Sequence, residues 1–274
     1  MIQMWVVLYL ERRDGHPPHH GLCFGRSELH CSAARSDYTR PTGNHHQQSH
    51  GTGTCQLRLN AGCKVETLHA CNEDYIPYTK GPYLYEPGNE FDDGCKTHKL
   101  QIACALKFVN ECTEGLARAA ALVAVEALEE HIEAICNVGS DPYKEYQRDI
   151  KCMNAHGEKT HKCFKAFHSL LERAIIKGPA SEVIRYACCS HYVAVDCVSN
   201  GLASCESVGP KDFMIGVIQQ MFGETLTLVC GRYTKDSEGC RSLPQLPELD
   251  AKDRRIGNLV ELLLEAAGSI GRKS

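Results

Sequence analysis

The chain is 274 residues long, 43% hydrophobic and 23% charged, with a formal net charge of −4 at pH 7. Such a length can bury a sizeable core without cross-links, and the small, evenly scattered charge with no long basic run argues against nucleic acid as a partner. No apolar run reaches the roughly 20 residues that a membrane-spanning helix requires, so no membrane span is predicted.

The opening MIQMWVVLYL is apolar, but no basic residues precede it, and ERRDG follows where a cleavage site would carry small residues. It is not a convincing signal peptide. Residues 14–54 hold seven of the 14 histidines, are rich in Gly, Ser, Thr and Pro, and show no periodicity. Residues 1–54 are therefore read as a disordered N-terminal segment. The runs HPPHH (His16 to His20) and HHQQSH (His45 to His50) carry imidazoles that suit Zn, Cu or Ni. Their prolines and the lack of surrounding structure argue against a preformed site, and neither a metal nor any other cofactor is predicted.

Residues 55–243 form a cysteine-rich domain. Between Cys71 and Cys95 lie Pro77, Pro82 and Pro87 with Gly81 and Gly88, which break helices and make turns. The same loop carries Tyr75, Tyr78, Tyr83 and Tyr85 among the acids Glu73, Asp74, Glu86, Glu90, Asp92 and Asp93. Tyrosine gives contact area at low entropic cost, so these four tyrosines are the candidate binding residues. Their competing role is to cover the core beneath a long loop. Leu100, Ile102, Cys104, Leu106 and Phe108 alternate as a strand would, but Leu100, Cys104 and Phe108 also fit a helix and the neighbours favour it, and Leu116, Ala120, Val123, Ala127, Leu128, Ile132 and Ile135 predict a second one that ends at Asn137 to Gly139. A third stripe runs from Phe164 to Ile175 and stops at Gly178 and Pro179. A further helix opens at Ser181 and Glu182 and ends near Asn200 and Gly201, and another begins at Pro210 and continues to Gly231. Residues 244–274 read as a proline-punctuated linker followed by an amphipathic helix from about Asp250 to Ala267, packed on the bundle.

Seventeen cysteines, 15 of them between Cys55 and Cys240, point to an oxidising compartment. No two are separated by two to four residues, so the knuckle that grips zinc is missing. The intervals repeat. Cys63, Cys71 and Cys95 are spaced by 8 and 24, as are Cys104, Cys112 and Cys136; Cys152, Cys163 and Cys188 are spaced by 11 and 25, and Cys197, Cys205 and Cys230 by 8 and 25. Two cysteines eight apart on a helix lie about 12 Å apart along its axis, too far for a disulfide, which needs Cα atoms within roughly 7 Å. The bonds must therefore join one helix to another. Three cysteines cannot all pair inside one unit, so at least one bond per unit should cross to a neighbour or reach Cys55, Cys189 or Cys240. Cys188 and Cys189 point about 100° apart on a helix and should have separate partners. The odd total leaves at least one thiol over, with Cys23 and Cys31 as the candidates. The predicted fold is mainly α, a disulfide-stapled helical bundle or an array of about four cysteine-containing helical repeats.

CCSHYVAVDC, Cys188 to Cys197, resembles the active-site helix of secreted calcium-dependent phospholipases in its adjacent cysteines followed by His and Asp. That resemblance implies a hydrolase centred on His191. It departs from the family in that His191 follows Cys189 by two residues, Asp196 lies five further on, and the glycine-rich calcium loop is missing. A pair five apart does not set the carboxylate behind the imidazole. No G-x-S-x-G, H-E-x-x-H, phosphate loop or EF-hand loop occurs. From Cys152 to Cys240 the cysteine order and helix placement loosely resemble helical, cysteine-rich secreted proteins of arthropods and nematodes. This implies an extracellular, non-catalytic binding role and transfers no site residues. The expectation is a secreted binding protein whose partner is an extracellular protein or an apolar small molecule, with the hydrolase and a purely structural extracellular component as alternatives.

Overall fold

The apolar periodicity between Leu100 and Ile135 resolves into two helices joined by Thr113 and Glu114 alone. The computed structural model describes residues 57–205, 209–223, 226, 229–231 and 233–270, all within one unit of the chain. In chain order the helices are α1 (Val65–Ala70), α2 (Asn89–Cys112), α3 (Gly115–Ile135), α4 (Asp141–Ala155), α5 (Gly157–Lys177), α6 (Val183–Gly201), α7 (Gly209–Ile218), α8 (Glu238–Arg241) and α9 (Leu259–Gly268). A π-helical turn, Gln219–Gly223, continues α7. No strand occurs among the described residues. The molecule is mainly α and disulfide-stapled. The expected disorder of residues 1–54 and the histidine runs lie outside the described residues, as do Cys23, Cys31 and Cys55.

The local signals act as their chemistry requires. Ser140 caps α4 by accepting a hydrogen bond from the Tyr143 N–H, with Pro142 in the first turn. Gly178 ends α5, and a 3-10 turn, Ala180–Glu182, leads into α6. The segment begun by Pro210 differs from expectation, because the helix gives way to the π turn at Gln219 rather than running on unbroken.

Seven disulfides join the helices: Cys63–Cys112, Cys71–Cys104, Cys95–Cys136, Cys152–Cys205, Cys163–Cys197, Cys188–Cys230 and Cys189–Cys240. Every bond among the four cysteine triplets crosses from one triplet to the next. The first six cysteines of the set pair first to fifth, second to fourth and third to sixth, and Cys152 to Cys230, with Cys189 left aside, pair in the same order. Helical geometry explains it on α2, which carries Cys95, Cys104 and Cys112; in the second set Cys188 and Cys197 lie on α6 and Cys205 just past its end. Cys95, Cys104 and Cys112 stand at steps of nine and eight, as do Cys188, Cys197 and Cys205. Nine residues turn a helix by about 180° relative to its start, and eight by about 80°. The second and third cysteines thus share one side and clamp the preceding segment running antiparallel, while the first faces the opposite side and holds the following helix. Cys189, one position round from Cys188, reaches Cys240 on α8 as a separate junction.

The core is filled from α2, α3, α5, α6 and α9. α5 pairs with α6, α2 with α3, and α9 lies against α3, α5 and α6. The C-terminal segment differs most from the sequence reading. Its helix starts at Leu259, not Asp250, because residues 250–253 form a turn, residues 254–258 are not helical, and Asn258 caps the helix by accepting from the Glu261 N–H at 3.0 Å. Nor is it a surface helix with a polar face. Leu259, Val260, Leu262, Leu264, Ala266 and Ala267 are buried, and so are Glu261 and Glu265. Buried carboxylates require partners. Glu261 accepts from His69 Nε2 at 2.7 Å, and Glu265 from Arg254 at 2.7 Å and the Leu57 N–H at 3.0 Å. Glu73, itself buried, accepts the Leu259 N–H at 2.6 Å at the helix N-terminus.

Candidate recognition surface

The loop between α1 and α2 divides its four tyrosines. Tyr75 and Tyr78 are 1% and 2% exposed, whereas Tyr83 and Tyr85 are 57% and 43% exposed. The first pair is core, with burial pushing both phenols above their ordinary pKa, so Tyr75 and Tyr78 offer nothing to a partner. The second pair stands outside. A turn explains the division, since Tyr78 adopts a positive φ of 58° and sends the chain back across the bundle.

The outer half of the loop is fixed from below. Asn154 on α4 donates from Nδ2 to the Leu84 carbonyl at 2.8 Å and accepts the Leu84 N–H on Oδ1 at 2.9 Å. Tyr146 donates its hydroxyl to the Tyr85 carbonyl at 2.6 Å. His161 on α5 bonds the Tyr78 carbonyl through Nδ1 at 2.7 Å. The Tyr85 ring lies over Gly94 on α2, where an added Cβ would fall 2.7 Å from the ring, and beside His98. Two disulfides, Cys71–Cys104 and Cys95–Cys136, hold the loop's ends. Around the exposed pair, Glu86, Glu90, Asp92 and Asp93 are exposed acids; Lys96 is paired with Asp93 at 2.8 Å. Glu73 lies apart from this surface in the core, and Asp74 bonds Gln101.

The loop's seat on the helices depends on Gly157, where a Cβ would come 1.8 Å from the Pro82 carbonyl oxygen. Gly157→Ala must therefore push the loop off the start of α5. We expect a loss of roughly 1–3 kcal/mol, as for overpacking elsewhere, read as a lower guanidinium midpoint with far-UV circular dichroism unchanged. An unchanged midpoint would mean that the loop is not seated there.

The phospholipase-like constellation does not assemble. His191 is buried beside Tyr192 and Phe222, and burial lowers its pKa to about 4, leaving a neutral ring in an apolar setting. Asp196 instead takes Lys235 in an ion pair at 2.7 Å. Cys152, His156 and Cys205 gather their ligand atoms within 4.8 Å of one another. The two sulfurs are joined as a disulfide, and His156 Nδ1 lies 3.0 Å from the Cys152 carbonyl oxygen, so the group offers no thiolate to a metal.

No family model matches the chain, and neither a curated protein nor a solved structure matches it. What the sequence could not separate was buried from exposed tyrosine, because both pairs sit in the same turn-rich composition. Asn154, Tyr146 and Gly157, which position the loop, lie about 60 to 75 residues away with no motif to mark them.

Proposed function

We propose that the chain is a secreted, non-enzymatic binding protein that presents Tyr83 and Tyr85 to an extracellular partner protein with a basic surface. Seven disulfides fit an oxidising, extracellular setting, and no described helix is long and apolar enough to cross a membrane. One observation carries the reading. Two aromatic side chains stand exposed on a loop that is fixed by disulfides at both ends and hydrogen-bonded to helices in its middle. A rigid aromatic contact costs little entropy on binding, which is the property that makes tyrosine a good anchor. The acids Glu86, Glu90 and Asp92 supply the charge that would steer a basic partner, and its arginines would stack on the rings. The pairing order of Cys63 to Cys136 and of Cys152 to Cys230 supports a twofold repeated helical module beneath this surface.

The test compares wild type with Tyr83→Ala/Tyr85→Ala for capture of partners from extracellular fluid by covalent cross-linking. Tyr83 is 57% exposed and Tyr85 is 43% exposed with its ring packed on Gly94 and His98, so the double variant should lose no more than a few degrees of melting temperature. The reading predicts that a basic protein cross-links to wild type, that the double variant loses it by at least tenfold, and that raised salt weakens it. Equal capture by both proteins would overturn it.

A further inference from the structure

The non-helical chain before α9 reads Lys252-Asp253-Arg254-Arg255-Ile256, leaving a turn at Asp253, with a pair of arginines at the edge between an exposed linker and a buried helix. Lys252 and Arg255 are exposed, the Arg255 side chain to 58%, whereas Ile256 is wholly buried. The linker is held to α5 by ion pairs of Lys177 with Asp253 at 2.7 Å and of Arg173 with Glu248. Lys177 and Asp253 keep only 26% and 16% of their side chains exposed and Arg254 is paired with the buried Glu265 at 2.7 Å, so a cut here requires residues 252–256 to open locally while the disulfide-bonded bundle stays folded.

The Ile256 backbone nitrogen donates to Glu172 Oε1 at 2.7 Å. Glu172 is a buried carboxylate, and its ion pair with Arg255 is long at 3.9 Å. An acid so placed gains from a full positive charge at the position where a neutral amide now sits. We propose that the Arg255–Ile256 bond is a processing site for a serine endoprotease that reads paired basic residues, and that Glu172 receives the new Ile256 ammonium. Hydrolysis adds one water across the peptide bond, leaving a carboxylate on Arg255 and an ammonium on Ile256, with no oxidation or reduction. The ammonium occupies the place of the former N–H and adds charge to the bond that Glu172 already accepts.

Residues 256–274 contain no cysteine, so after the cut no disulfide tethers them. They stay by packing and polar contacts. Leu259, Val260, Leu262 and Leu264 are buried, Glu73 accepts the Leu259 N–H, and Arg254 and His69 hold Glu265 and Glu261 across the nick. The cut leaves α9 on a separate chain that is held to the bundle through its buried side chains. This inference shares with the proposed function only the premise of secretion, and its test uses purified, oxidised protein, so either can fail alone.

Fully disulfide-bonded protein is treated with a paired-basic-specific serine endoprotease at neutral pH. Besides any cuts at Arg12-Arg13 and Arg272-Lys273, which lie outside the described residues, the expected result is one early cut with the new N-terminus Ile-Gly-Asn-Leu, co-elution of the peptide that begins at Ile256 with the bundle, and resistance of Arg255→Gln to that cut. In Glu172→Gln the uncut chain should melt close to wild type, because the amide oxygen still accepts the Ile256 N–H, while the nicked form should release the fragment at least tenfold faster. Should that variant not fold, Glu172→Asp, which withdraws the carboxylate by one methylene, should release the fragment faster than nicked wild type. No cut at Arg255–Ile256, an earlier cut elsewhere among the described residues, or equal retention of the fragment by nicked wild type and the Glu172 variant would overturn the proposal.

Discussion

Lowering the pH from 7 to 4 is expected to remove about 3 kcal/mol of stability through each of two buried histidines, His131 and His191. Burial lowers both from 6.5 to about 4 in the folded protein, and each unit of difference corresponds to about 1.4 kcal/mol. Between these values the unfolded chain binds protons that the folded chain does not. Stability is therefore fully present above pH 6.5 and falls as the pH drops towards 4. Burial is the cause in both cases: His131 packs against Phe213, and His191 against Tyr192 and Phe222. Denaturant midpoints at pH 7, 5.5 and 4 for wild type, His131→Gln and His191→Gln would check this. Each variant should narrow the gap between pH 7 and pH 4, and parallel pH profiles for all three would contradict it. His168, whose pKa burial also lowers, adds to the loss in the same direction.

The second large effect concerns α9. Leu262→Ala should destabilise the protein by about 2–5 kcal/mol, the range for truncating a buried leucine, because Leu262 is wholly buried between α9 and the bundle. Leu263, next to it but only partly buried, should cost far less on the same change. Guanidinium unfolding of the two variants side by side gives the comparison. Equal losses would mean that α9 lies on the surface as an amphipathic helix rather than within the core.

That second result bears on what the sequence could reveal. Period and punctuation were enough for α3, α5 and α6, which carry clear apolar stripes and stops such as Gly178 with Pro179; the start of α2 at Asn89 lay inside the stretch read as a loop, and α4 was not foreseen. The C-terminal helix was misread for a physical reason. Glu261 and Glu265 look like a solvent face, and only the tertiary fold brings His69, Arg254 and the Leu57 N–H to meet them. Likewise Asp250 to Arg255 could have continued a helix on propensity alone. Glu172 and Glu73, from distant elements, instead take the N–H groups of Ile256 and Leu259 and fix the start after them.

The cysteines were more informative than the side chains around them. Spacing alone required bonds between helices and separate partners for Cys188 and Cys189, and both features are present. The pairing order was also open to a helical wheel: two cysteines eight apart on one segment match two cysteines eight apart on an antiparallel neighbour, as Cys63 and Cys71 match Cys112 and Cys104. The recognition surface was half legible, since composition located the loop but only burial separates Tyr83 and Tyr85 from Tyr75 and Tyr78.

The seven bonds close stretches of 33 to 53 residues, each worth about 4 kcal/mol in a chain-entropy view of the unfolded state. The scaffold and the fixed loop rest on them. The most direct measurement is a peptide map of protein from an oxidising host, digested without reduction under conditions that block exchange. The account predicts linked peptides for Cys63–Cys112, Cys71–Cys104 and Cys95–Cys136, the matching set Cys152–Cys205, Cys163–Cys197 and Cys188–Cys230, and the junction Cys189–Cys240. Free thiols at most of these fourteen positions, or a different pairing in the two sets, would contradict it.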